Sequence, residues 1–120
     1  MLYQLYNTIW YCLICTARKE VAMNSKIRKL ERNRWSILTD DLSRCYECGK
    51  PAVNKHEVFE GSYRIRSMEN GMVLPLCYQC HMRIHYDKYM RQKYQEMFQA
   101  KFEETHTREE FIKLFVKSKL

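Results

Sequence analysis

Cys45-Tyr-Glu-Cys48, a histidine at His56, then Cys77-Tyr-Gln-Cys80-His81-Met-Arg-Ile-His85: this stretch decides how the 120-residue chain is read. Two Cys-x-x-Cys pairs place sulfurs at the tetrahedral edges zinc prefers. Cys45, Cys48, Cys77 and Cys80 are therefore read as ligands of a structural Zn2+. His56, His81 and His85 interleave with the thiolates but are not needed by that ion. His81 and His85 stand four apart, so a helix carries both on one face. Three imidazoles make a candidate centre for a second divalent ion, with positions left for water and a phosphate oxygen. Spacing alone leaves one alternative, in which His81 replaces Cys80 in the zinc shell.

Composition frames these residues. The length suits one domain, with a core small enough to gain from a metal staple. Hydrophobic residues are 46% of the chain, which excludes broad disorder. The formal net charge of +7 favours a polyanionic partner, and nucleic acid is the first candidate. There are six cysteines, but their paired spacing and the lack of a convincing signal peptide argue against a secreted disulfide framework. A reducing, intracellular setting is the expectation.

Residues 1–17, MLYQLYNTIWYCLICTA, carry no charge and are followed by Arg18 and Lys19. The segment is short for a membrane span and holds Gln4, Asn7 and Thr8, so no membrane partner is expected. Tyr3, Tyr6, Trp10 and Leu13 fall at helical spacing. Cys12 and Cys15 form a further pair without visible partners and are read as filler. Residues 1–22 are expected to be a non-core apolar extension, a candidate upstream extension of the reading frame that the fold does not need. Residues 23–120 are expected to be the zinc-containing domain.

Residues 26–34, KIRKLERNR, read as a short basic helix, either a phosphate-contacting arm or a solvated face. Trp35–Thr39 reads as a short strand. Asn54–Phe59 and Met72–Leu76 read as antiparallel strands joined by a long loop, with Asn70-Gly71 as a turn before the second. A helix carrying His81 and His85 follows. Tyr86, Tyr89, Met90, Met97, Phe98 and Phe102 then mark an amphipathic helix whose aromatics pack inward. Thr107-x-x-Glu110 is a capping box before a last helix. The fold class is α+β: a small zinc-stapled core of strand, loop, strand and helix, with flanking helices.

The segments KHEVFEGSYRIRS (55–67) and GMVLPLCYQCHMRIH (71–85) resemble the HNH (ββα-metal, His-Me finger) endonucleases, and are similar to small HNH proteins of bacteriophages and prophages. The resemblance covers the chain from about Lys26 onward. It implies a V-shaped ββα-metal core set in the DNA minor groove, hydrolysing phosphodiester bonds as an endonuclease or nickase with one divalent ion (Mg2+, Mn2+, Ni2+ or Zn2+). It further implies His56, His81 and His85 as ligands, and a location in the cytoplasm of a bacterial host cell. Glu57 stands at the position of the general base, where histidine is commoner, and Met72 stands where the family has its orienting asparagine. Arg64, Arg66 and Ser67, expected in the loop between the strands, are candidate phosphate contacts, with Lys55 and Tyr63 as weaker ones. The rival reading is a non-catalytic zinc module that binds nucleic acid or a protein partner.

Overall fold

The computed structural model describes residues 24–120. The uncharged segment, the Cys12–Cys15 pair and the proposed boundary at residue 22 lie outside the described residues. The chain divides after Asn33 into two units. In the first, residues 24–32 form helix α1. Ile27, Leu30 and Glu31 are its half-covered positions, the short helical period expected there. Asn33 ends the helix by donating its side-chain amide to the Lys29 carbonyl at 2.9 Å.

In the second unit, β1 (Asn54–Glu57) pairs antiparallel with β2 (Val73–Leu76), His56 opposite Leu74 and Glu57 opposite Val73. All four residues of β2 are buried, so its apolar run shows no alternation. Pro75 has no amide to donate, but its carbonyl accepts from Tyr46 N–H at 2.9 Å and ties the first cysteine pair to β2. β1 is shorter than expected because Val58 and Phe59 leave the strand and bury in the core.

The connection between the strands is not an irregular loop. It holds a 3-10 turn (Gly61–Tyr63) and helix α2 (Arg64–Glu69). Asn70 closes α2 by donating its side-chain amide to the Arg66 carbonyl at 2.8 Å. Gly71 then takes φ +69°, a conformation glycine adopts without cost. Glycine is needed for space as well: a Cβ there would lie 2.7 Å from the Trp35 ring. Trp35–Thr39 is not a strand. Among the described residues one backbone hydrogen bond ties it to the turn before β2, Ile37 N–H to the Gly71 carbonyl at 2.9 Å. Ser36 Oγ turns it by accepting from Leu38 N–H at 3.2 Å.

Helices α3 (Tyr78–Tyr86), α4 (Lys88–Phe102) and α5 (Arg108–Phe115) complete the unit. Asp87 breaks the helical run: its carboxylate caps α4 by accepting from Tyr89 N–H at 3.0 Å and Met90 N–H at 3.1 Å. The break changes the phase of the aromatic stripe. Met90, Tyr94, Phe98 and Phe102 face the core, whereas Tyr86 and Tyr89 are 82% and 83% exposed and do not pack as expected. Thr107 caps α5 by accepting from Glu110 N–H at 3.2 Å, and Phe115 stacks on Phe59 with ring centres 4.4 Å apart. Among the described residues no helix is long and apolar enough to cross a membrane.

Candidate metal centres

The first cysteine pair sits on a turn that glycine permits. Gly49 takes φ +79° and donates to the Cys45 carbonyl at 2.8 Å, while Cys45 N–H donates to the Lys50 carbonyl at 2.7 Å. The second pair opens α3: Cys77 is the N-cap residue, and its sulfur accepts from Cys80 N–H at 3.5 Å. The four sulfurs lie within 4.8 Å of one another, with Cys48 and Cys77 3.5 Å apart. Two sulfurs on one tetrahedral zinc at the usual 2.3 Å would stand about 3.8 Å apart, so the cluster suits a metal such as zinc. Burial pushes the Cys45 thiol up, but backbone N–H groups from Cys77, Cys48 and Glu47 bring it down to about 7. Burial and the neighbouring sulfurs push Cys80 up instead. Four crowded thiolates favour a cation among them, which is the charge balance a zinc ion meets. Glu47, inside the first pair, accepts from Tyr94 OH and pairs with Lys93 at 3.5 Å, anchoring the turn to α4.

The three imidazoles form a second group. His56 projects from β1 and is buried; His81 and His85 project from α3. Their candidate ligand atoms also lie within 4.8 Å of one another. The Nε2 atoms of His81 and His85 are 3.2 Å apart. Two nitrogens bound to one tetrahedral ion at the usual 2.0–2.1 Å would stand about 3.3 Å apart. Burial, then the charges of His81 and His85, depresses His56 to about 4. Burial and His85 also lower His81, against the opposing carboxylates of Glu60 and Glu57. Neutral rings with lone pairs at neutral pH are what a divalent ion requires. The geometry also separates the adjacent residues: Cys80 groups with the thiolates and His81 with the imidazoles. One short helix therefore serves both groups, so the thiolates that fix its first turn also fix the height of His81 and His85.

Two carboxylates border the histidines. Glu57 Oε1 accepts from Arg34 Nη2 at 2.7 Å and lies 3.4 Å from Arg64 Nε. Glu60 Oε1 lies 3.1 Å from His56 Nε2. Metal-binding histidines commonly give their second ring nitrogen to a carboxylate; with Nε2 turned to Glu60, the His56 atom left for a metal is Nδ1. Neither Glu60 nor Arg34, the last residue of the basic run 26–34, is among the site residues expected from the sequence. The i, i+4 spacing of His56 and Glu60 was the available signal for the first; nothing local marks a pair 23 positions apart for the second.

The expected phosphate contacts are only partly assembled. Lys55 is exposed on β1 and Tyr63 is half-buried. Arg64 turns to Glu57. Arg66 donates Nη1 to the Leu114 carbonyl at 2.8 Å, committing it to α5. Ser67 is fully buried, and its hydroxyl donates to the Phe59 carbonyl at 2.6 Å. It is a core residue out of reach of a phosphate, which corrects its expected role. Met72 is fully buried, so the position where the resemblance expects an asparagine serves packing. In comparisons with known proteins, no family model, no curated protein and no solved structure matches the chain.

Proposed function

We propose that this chain is a metal-dependent endonuclease of the HNH type that hydrolyses phosphodiester bonds in DNA. The observation that carries the reading is the convergence of His56, His81 and His85 beside a separate four-cysteine cluster, with α3 contributing to both groups. One centre is chemically suited to stapling the fold, and the other keeps fewer protein ligands. That is the difference between structural and catalytic zinc-type sites. The net charge of +7 suits the substrate.

His56, His81 and His85 would hold a divalent ion, which when bound supplies Lewis-acid polarisation of the phosphodiester and charge stabilisation of the departing oxygen. Glu57 is the base: Arg34 and Arg64 hold its Oε1, which fixes the carboxylate and leaves Oε2 to take a proton from the attacking water. Glu60 orients His56. Arg64, at 3.4 Å from Glu57, is the expected cation that stands beside the proposed base.

The test is nicking of supercoiled plasmid with Mg2+, Mn2+, Ni2+ or Zn2+ added in turn. Cutting that is abolished by both His81→Ala and Glu57→Gln supports the reading. A folded, metal-loaded protein that cuts with none of them refutes it. The arginine pair on Glu57 favours a second reading, a non-catalytic zinc module, because it gives that carboxylate a structural task as well. That reading predicts salt-sensitive DNA binding with no cutting.

A further inference from the structure

Arg91, at the start of α4, reaches back to the histidine-bearing helix. Its Nη1 donates to the carbonyls of Ile84 at 3.1 Å and His85 at 2.7 Å. On the same face Gln95 donates to the Val58 carbonyl at 3.3 Å, two residues beyond His56. These side chains join Lys88, Gln92 and Lys119 around a cleft of about 280 Å³. The lining has three cations, two amides and no carboxylate. The larger cleft beside Trp35, of about 410 Å³, has Glu69 and Glu104 in its wall and does not suit a polyanion.

Lys119 is placed in this cleft by a buried polar residue. Gln99, fully buried, accepts from Lys119 N–H at 2.7 Å and donates to Ser118 Oγ at 2.9 Å. A buried amide needs its partners satisfied, and among the described residues its side-chain bonds come from the segment that follows α5. The segment is therefore held, with its lysine beside Lys88 and Arg91. Neither Lys88 nor Lys119 has a carboxylate partner among the described residues.

We infer that this cleft is the track that carries the DNA backbone past the histidine centre, with Lys88 and Lys119 neutralising phosphates and Gln92 donating to a phosphate oxygen. The inference rests on the nucleic-acid reading above and gives that site its substrate path. It replaces Ser67 and Arg66, which the fold has turned to other tasks. Each lysine at a phosphate releases a counterion, so it contributes to the salt dependence of binding.

The test measures binding of a fluorescent DNA duplex by the full zinc-loaded chain across a salt series, by anisotropy. Lys88→Gln and Lys119→Gln should each reduce the log–log salt slope by about 0.9, and the double variant by about twice that. Gln99→Leu keeps the charge but frees the segment, and it should weaken binding in the manner of Lys119→Gln. Lys113→Gln, outside the cleft, should leave the slope unchanged. If the double variant keeps the wild-type slope, the track is refuted, and continued plasmid cutting by that variant would leave the endonuclease reading standing. If the wild-type chain neither binds nor cuts DNA, both readings fall together.

Discussion

His56 links the site to the stability of the fold. In the folded protein without metal at the histidines, burial and the two neighbouring rings depress it to about 4, against an ordinary value of 6.5. Between those values the unfolded chain binds more protons than the folded one. Stability is therefore fully present above about pH 6.5 and is lost as pH falls towards about 4. A shift of this size corresponds to roughly 3 kcal/mol in total, and about 2 kcal/mol of it is gone by about pH 5. The assay is urea unfolding at about pH 7 and about pH 5, with one equivalent of zinc for the thiolates and none for the histidines. His56→Phe removes the titrating group while keeping an aromatic ring in the core. Its loss of stability across that range should be smaller than the wild type's by about 2 kcal/mol. Equal losses in the two proteins would show that His56 is not held neutral by burial, and the geometry of the histidine group would be wrong.

Other perturbations separate the parts of the structure. Gly71→Ala forces φ +69° on a residue with a Cβ and drives that atom into Trp35 and Ile37. It should cost about 2–4 kcal/mol by urea unfolding and alter Trp35 fluorescence, and a change under about 1 kcal/mol refutes the packing. Glu60→Gln should weaken Co2+ binding at the histidines about 10- to 100-fold by titration calorimetry, while unchanged affinity would deny it a role at His56. Stripping the thiolate metal with a strong chelator removes a stabilisation of something like 10–16 kcal/mol, and replacing Cys77 with serine removes part of it. Circular dichroism should then show loss of helix; a retained native spectrum would mean the fold stands without the staple.

The parts legible in the sequence are those with a local period or a fixed spacing. The Cys-x-x-Cys pairs brought four sulfurs together, and the i, i+4 histidines brought two Nε2 atoms within 3.2 Å. The two apolar runs paired antiparallel, and the capping box at Thr107 formed. What was not legible depended on contacts distant in sequence. RIRSME has no capping residue and only six positions, so α2 left no periodic signature. Ser67 is buried because Phe59, eight residues earlier, needs a donor for its carbonyl. Tyr86 and Tyr89 fit an inward stripe only if the helix runs on; Asp87 stops it, and both rings turn outward. Arg34 meets Glu57 across 23 positions that no local pattern connects.

The central claim is that one short helix serves two metal centres of different kind. Counting metal per folded chain by elemental mass spectrometry, after saturation with zinc and removal of loosely bound ions, tests it most directly. Two ions in the wild type, falling to one in His81→Ala with the fold intact, is the predicted result. One ion in both proteins would contradict the claim and leave the histidines as packing beside a single zinc staple.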